Sequence, residues 1–271
     1  MVHLVVASIT AIWLVPLVGL LVSSFRPTPA VLSSGWWHSF ALPGDYTLDN
    51  YRKVLDRDDI ALSLFNSLAI VIPATLLTIC VGSAAAYALA CMGFRLRGTT
   101  LMIVVALLIV PVQITLVPLL RMFNALDLTG TFLGLWLVHL GYGLPFAIYL
   151  LHNFFVALPR ELFEAAEIDG ASPSQIFFSI VLPISRPALA SLAIFEFVWT
   201  WNDLLAALIF LGGYRDVAPV TVAVSGLVAS RGNGWEILTS AAMLSIVVPM
   251  VIFVAMQKYF VRGMLAGISK G

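Results

Sequence analysis

Hydrophobic residues make up 61% of this 271-residue chain and charged residues 10%, against about 45–50% and 25% in soluble domains. The mean hydropathy of +1.03 points the same way and excludes an ordinary soluble domain. The formal net charge is zero, so no basic surplus indicates a nucleic-acid partner.

Six apolar runs are long enough to cross a hydrocarbon core of about 30 Å, which requires roughly 20 residues. They are Leu4–Phe25, Leu62–Ala90, Thr99–Met122, Phe132–Phe154, Ala188–Leu211 and Ile237–Phe260. The sequence therefore predicts an all-α integral membrane protein with six transmembrane helices. The chain divides into a first helix with an outer loop (1–61), a membrane core of five helices (62–260) and a C-terminal tail (261–271).

A polar side chain interrupts the third predicted span. Gln113 stands between Pro111 and Pro118 and close to the middle of the bilayer. Backbone groups freed by proline are tolerated at membrane depth only when they are buried in protein or line a cavity. We therefore expect Gln113 to face the interior of the helix bundle, as a contact along a substrate path or as a hydrogen bond between helices.

The fifth predicted span carries a polar stripe. Glu196, Thr200 and Asp203 fall at i, i+4 and i+7, and hence on one face of a helix. A carboxylate at the bilayer centre costs roughly 2.5–3.5 kcal/mol on insertion scales, so a lipid-facing position is disfavoured. Trp199 and Asn202 flank this face. The stripe has the chemistry to hold a sugar, and it is equally suited to bind this helix to a partner subunit in the membrane.

The segment 157–187 is the polar part of the membrane core. Its first predicted helix begins after Pro159 and ends at Gly170, because glycine tolerates the left-handed conformation that ends many helices. The second begins with a capping box of Ser172, Pro173 and Gln175. This pattern predicts a helix–turn–helix elbow outside the bilayer, where a partner can dock.

This elbow resembles the EAA signature of importer-type ABC permeases, on the strength of Glu164-Ala165-Ala166, Gly170 and Ile180-x-Leu182-Pro183. In that family the elbow sits in a cleft of a cytoplasmic ATPase subunit and transmits the closure of that subunit to the membrane helices. The alternative is an ordinary amphipathic loop. The resemblance implies a type I ABC importer permease fold. It assigns ATPase coupling to Glu161, Glu164, Ala165, Ala166, Asp169, Gly170, Ala171, Ile180, Leu182 and Pro183.

Two further stretches narrow the resemblance to carbohydrate permeases. Trp199 to Asp203 is similar to the W-x-W-N-D/E stretch of those proteins. The end of the chain, from Gln257 to Gly271, is similar to the tail of maltose-type permeases, which reaches toward the ATPase dimer. These stretches imply the second membrane subunit of a sugar importer, closest in look to α-glucoside permeases. The substrate path would then include Gln113, Glu196, Trp199, Thr200, Asn202 and Asp203.

The resemblance also implies partners and a location. The partners are a second permease subunit, two ATP-binding cassette subunits, an extracytoplasmic sugar-binding protein and the lipid bilayer. The location is the cell membrane with both termini cytoplasmic. With the elbow inside, the 14 lysines and arginines divide evenly between the two sides, so charge alone does not set the orientation.

No Walker loop and no cluster with metal-ligand spacing occurs in the sequence. We therefore expect a transport subunit without enzymatic activity, cofactor or metal, with ATP bound by the partner subunits. The alternatives are an importer for a polyol or glycerol phosphate, a gradient-driven secondary transporter and a membrane enzyme. No internal repeat of the kind found in secondary transporters is visible.

Overall fold

The structure is a computed structural model that describes residues 1–41, 46–57, 60–231 and 234–268. Within these ranges, the side chains of residues 41, 57, 228–231 and 258–268 lie outside the description. All regular elements in the described ranges are helical, as the sequence predicts for an all-α protein.

The helices follow one another with short connections. In chain order they are α1 (Val2–Ser24), α2 (Thr28–Ser33), α3 (His38–Ala41), α4 (Asp49–Arg57), α5 (Ile60–Cys91), α6 (Arg97–Leu107), α7 (Val112–Ala125), α8 (Phe132–Val156), α9 (Arg160–Ile168), α10 (Pro173–Ile176), α11 (Leu182–Ile184), α12 (Arg186–Asn202), α13 (Leu205–Leu211), α14 (Val220–Arg231) and α15 (Trp235–Ile268). A π-helical turn, Phe177–Val181, joins α10 to α11.

In the described ranges, α1, α5, α8 and the part of α15 up to Gln257 are each long and apolar enough to cross a membrane. Two bent pairs of helices raise the number of spans to six if each pair counts as one. They are α6 with α7, and the segment Pro173–Ile184 with α12. Hydropathy thus places the apolar segments correctly, while the number of crossings depends on how the bent pairs are counted.

The third predicted span, Thr99–Met122, corresponds to a bent pair of helices, in keeping with the prolines that interrupt it in the sequence. Helix α6 ends at Leu107, and α7 begins at Val112 after a bend of 101°. Pro111 is the N-cap of α7, with an extended ψ of 125°. Proline has no backbone N–H and disfavours helical geometry in the residue before it, so the chain breaks here.

The fifth predicted span, Ala188–Leu211, is not a single helix, and the prediction that Asp203 shares a helix with Glu196 and Thr200 is wrong. Helix α12 ends at Asn202, and Asp203 has extended backbone angles of −70° and 126°. The Asp203 carboxylate accepts hydrogen bonds from the backbone N–H groups of Ala206 and Ala207, at 3.3 and 3.1 Å, in the first turn of α13. A side chain that satisfies the free N–H groups of a new helix competes with continuation of the old one. Asp203 therefore does not extend the helical face of Glu196 and Thr200.

The described chain forms two compact units, of which the first comprises Met1–Ser67 and Gly213–Met250. Polar contacts hold this unit together. The Asn50 amide donates to the carbonyls of Ser24 and Arg26, and the Ser240 hydroxyl also donates to the Ser24 carbonyl. The Asn66 amide donates to the carbonyls of Asp216 and Ala218. The loop predicted within residues 1–61 contains α2, α3 and α4.

The second unit comprises Leu68–Gly212 and the chain from Val251 onward. Within it, α5 and α8 approach closely because Gly82 faces Ala147. A Cβ atom added at Gly82 would lie 2.8 Å from the Ala147 Cβ atom. Small residues allow helix backbones to approach closely in a membrane, where the hydrophobic effect does not drive helices together. This unit contains the elbow and the polar stripe.

Candidate functional site

The first arm of the elbow is α9, and the predicted boundaries of this helix are confirmed. Pro159 is the N-cap, and Glu161 lies in the first turn, where a carboxylate is favoured by the helix dipole. Asp169 is the C-cap, and Gly170 follows in the left-handed region with φ of +78°. An added Cβ atom at Gly170 would meet nothing within 4 Å, so backbone geometry, not space, favours glycine here.

The second arm begins with the predicted capping box, which is also confirmed. The Ser172 hydroxyl accepts from the Gln175 N–H at 3.3 Å, and the Gln175 side-chain oxygen accepts from the Ser172 N–H at 2.7 Å. Pro173 occupies the first turn of α10. Two N–H groups that the helix cannot satisfy are thus paired locally, and this fixes the direction of the second arm.

Ser172→Ala should lower the free energy of unfolding by about 1 kcal/mol, because it removes the hydroxyl that accepts from the first turn of α10. Thermal unfolding of the purified chain in detergent measures the loss. Ser179→Ala is the control, since Ser179 is exposed and its side chain has no hydrogen bond among the described residues. Equal unfolding temperatures for the two variants would contradict the role given to the capping box.

The outer surface of the elbow carries most of the residues assigned to coupling. Glu161, Glu164, Ala165, Asp169, Gly170 and Pro183 are exposed, Ala171, Ile180 and Leu182 are half-buried, and Ala166 is buried. Two apolar side chains on this surface, Ile168 and Phe178, were not predicted as functional; they are 86% and 65% exposed. In the sequence they are apolar residues within a charged amphipathic segment, and that contrast could have indicated them. Exposed apolar side chains beside carboxylates are suited to a protein interface.

The underside of the elbow packs on the long helices of its unit. Ala166, Ile176, Phe177 and Val181 share one buried cluster with residues of α5 and α8, among them Tyr87, Leu151 and Phe155. The Tyr87 hydroxyl donates to the Pro173 carbonyl at 3.0 Å, and the Tyr87 and Phe177 rings lie 5.1 Å apart. The elbow is therefore packed in one core with α5 and α8, and packed cores resist deformation.

The second feature of this unit is a cavity of about 930 Å³ lined by residues of α6, α7, α8 and α12. Most of its lining is apolar. The polar side chains in it are Thr115, His139, Tyr142, Glu196 and Thr200. The hydroxyls of Thr115 and Tyr142 are 2.8 Å apart, and the His139 Nε2 atom lies 3.9 Å from an Asp203 carboxylate oxygen.

Glu196 is the buried carboxylate of this cavity, with 6% of its surface exposed. In the described part of the chain, its carboxylate has no hydrogen-bond or ion-pair partner. Gly143 of α8 provides the space for it. A Cβ atom added at Gly143 would lie 2.5 Å from a Glu196 carboxylate oxygen. The sequence analysis identified Glu196 but missed Gly143, for which a sequence carries no signal.

The other residues predicted along the substrate path are dispersed. Trp199 and Thr200 line the cavity. Asn202 is exposed and donates to the Val198 carbonyl within its own helix. Gln113 is exposed and does not line the cavity, so its place on the substrate path stays a prediction. The predicted tail, 261–271, lies outside the side chains that the structure describes.

Asp203→Ala should lower the free energy of unfolding by about 1–2 kcal/mol, because two backbone N–H groups of α13 lose their acceptor. Asn202→Ala is the neighbouring control, since its amide donates only to the carbonyl of its own helical turn. Thermal unfolding in detergent compares the two. A larger loss for Asn202→Ala would contradict the capping role of Asp203.

Comparison with known proteins agrees with these features. The family described as binding-protein-dependent transport system inner membrane component matches residues 78–266. The osmoprotective compounds uptake permease protein GgtD of Synechocystis is 49% identical over 99% of this chain and 91% of its own length. The alpha-glucoside transport system permease protein AglG of Rhizobium meliloti is 50% identical over 84% of this chain and 62% of its own length.

A solved structure shows the same fold. It belongs to a bacterial ABC transporter involved in the import of the acidic polysaccharide alginate, and its sequence is 22% identical. The TM-score is 0.79, with 96% of this chain and 95% of that chain covered. The elbow, the apolar spans and these similarities lead to one conclusion. The chain belongs to the family of binding-protein-dependent transport system inner membrane components, the membrane permeases of ABC importers.

Proposed function

We propose that this chain is one of two permease subunits of an ATP-driven importer for α-glucosides or related di- and oligosaccharides. The observation that carries the substrate class is the 50% identity to an alpha-glucoside permease over 84% of the chain. ATP binding and hydrolysis belong to separate partner subunits.

A second substrate class has support of its own. The osmoprotective compounds permease matches 99% of the chain at 49% identity. A small polyol would suit such an importer. Anionic solutes such as glycerol phosphate are disfavoured, because no lysine or arginine lies among the described residues that line the cavity. Sugars and polyols share hydroxyl groups, and that shared chemistry is what the cavity of this chain can recognise.

The elbow is the proposed docking element for an ATPase subunit on the cytoplasmic side, and both chain termini lie on that side. Its outer surface combines exposed carboxylates with the exposed Ile168, and its underside packs on α5 and α8. Closure of two ATPase subunits would draw two elbows together, one from each permease. The helices packed on them would then rotate and open the central path toward a docked sugar-binding protein.

Co-purification is the first test. The tagged chain is extracted from its native membranes in mild detergent, and its partners are identified by mass spectrometry. Recovery of a second permease and an ATPase is expected. Recovery of this chain alone, with transport activity in vesicles that contain no ATP, would overturn the importer function.

Coupling is tested in vesicles that contain the whole importer, with maltose, trehalose and sucrose as substrates. Glu164→Lys should abolish sugar-stimulated ATP hydrolysis, because it reverses a charge on the exposed face of the elbow. Glu164→Gln, which removes the charge without reversing it, should retain part of the activity. Wild-type hydrolysis in the lysine variant would contradict docking through this face.

A further inference from the structure

We propose that this subunit itself provides a binding subsite for hydroxyl groups of the transported solute, formed by Glu196 with the hydroxyls of Thr115 and Tyr142. The proposal rests on the proposed function, since it names the part of the path that would hold a neutral sugar or polyol. It assigns to the cavity a role in recognition rather than in packing alone.

The Glu196 carboxylate is buried and has no protein partner among the described residues. Its exposed fraction is 6%, and it has no hydrogen-bond or ion-pair partner in the part of the chain that the structure describes. Its oxygens are not among the fully enclosed, unsatisfied side-chain atoms of the described chain, and Glu196 lines the cavity. A carboxylate that is mostly removed from water loses hydration, and a ligand in the cavity that donates hydrogen bonds would replace it.

Helix α8 leaves room for this carboxylate. Gly143 lies directly against it, and a Cβ atom there would approach one oxygen to 2.5 Å and the other to 2.9 Å. Any residue other than glycine would therefore displace the Glu196 side chain.

The composition of the cavity lining also suits a sugar or polyol. The Thr115 hydroxyl donates to the Val112 carbonyl at 2.7 Å and accepts from the Tyr142 hydroxyl at 2.8 Å, so both hydroxyls retain lone pairs that can accept from a solute hydroxyl. Trp199, which is 67% exposed, and Phe146 add aromatic faces suited to the C–H surface of a sugar. One carboxylate without lysine or arginine disfavours an anion, and the hydroxyls match a polyhydroxylated neutral molecule.

The size of the cavity also supports a solute subsite. The cavity of about 930 Å³ falls in the range of 300–1,000 Å³ typical of small-molecule sites. A disaccharide fits within it. The lining residues come from helices on both sides of the break between α6 and α7, so the site exists only in the folded unit.

The test uses the complete importer in vesicles loaded with ATP, with uptake of radiolabelled maltose and of a series of monodeoxy maltoses. Glu196→Leu should lower kcat/KM for maltose about tenfold to a hundredfold, the range for loss of a hydrogen bond to a charged group. One monodeoxy maltose should lose as much in the wild type, and the two losses should not add. A purely structural role for Glu196 would lower the uptake of all these sugars equally.

Gly143→Ala reaches the same carboxylate by a second route and serves if Glu196→Leu fails to assemble. It should reproduce the loss of Glu196→Leu, because the added methyl group displaces the Glu196 side chain. Gly226→Ala in α14 is the control, because Gly226 does not line the cavity. An added Cβ atom there meets nothing within 4 Å, so its uptake kinetics should equal those of the wild type.

The outcomes separate the two proposals. An assembled wild-type importer that takes up none of maltose, trehalose and sucrose would overturn the proposed function. Normal maltose uptake in both Glu196→Leu and Gly143→Ala would overturn the subsite alone. An equal loss of uptake for every monodeoxy maltose would also overturn the subsite. So would uptake of a quaternary ammonium compound that depends on Glu196, because Glu196 would then bind a cation rather than hydroxyl groups.

Discussion

Gly170→Val should uncouple ATP hydrolysis from transport, with a loss of sugar uptake of about 5-fold to 30-fold. Gly170 has a φ of +78°, a conformation that costs roughly 1–2 kcal/mol for a residue with a side chain and more for a β-branched one. The turn between α9 and α10 would shift to relieve that strain. The exposed carboxylates of α9 would then no longer point in the direction that docking requires.

Gly170→Asn is the matched control, because asparagine has a similar volume and tolerates the left-handed conformation. It should retain most of the uptake of the wild type. Uptake and ATP hydrolysis are measured together in vesicles that contain the whole importer. Equal losses in the two variants would mean that the surface at this position matters rather than the turn. Wild-type uptake in Gly170→Val would show that the turn geometry is not required.

Phe155→Ala should cause the largest loss of stability, about 3–5 kcal/mol, which is the usual cost of removing a buried phenylalanine side chain. Phe155 is 1% exposed and belongs to the cluster between the elbow and the long helices. Its removal leaves a cavity under Phe177 and the second arm of the elbow. We also expect weaker coupling, since the elbow would no longer move α8 with it.

Val156→Ala is the control for this experiment, since Val156 is the next residue on α8 and is exposed. Its effect should stay within about 0.5 kcal/mol, as for most surface substitutions. Thermal or denaturant unfolding in detergent compares the two variants. Similar unfolding temperatures would contradict the view that this cluster joins the elbow to α8.

Two breaks between helices, α6 to α7 and α12 to α13, show where helix ends are hard to predict from the sequence of an apolar chain. A membrane helix is hydrophobic on all sides, so it has no periodic pattern that could reveal a break. Leu204 to Leu211 reads as a continuation of α12, and the break becomes visible only when the Asp203 carboxylate caps α13. Pro111 gave a local signal for the other break, yet proline also occurs inside continuous helices of this chain, such as Pro145 in α8.

The elbow was predictable almost in full because its determinants are local. Pro159, Gly170 and the pair Ser172 and Gln175 act within a few residues of themselves, through fixed backbone angles and short-range hydrogen bonds. The family resemblance rests on the same segment. Exposure was not predictable, and for that reason Ile168 and Phe178 were missed.

The sequence by itself determined the all-helical membrane class, the apolar segments and the elbow, because hydropathy and turn chemistry act over short stretches of chain. The tertiary structure alone decided that α12 ends before Asp203, that Gln113 lies outside the cavity, and that Glu196 faces Gly143. These features depend on contacts between residues far apart in the chain. Such contacts form only when the helices pack, and no local pattern encodes them.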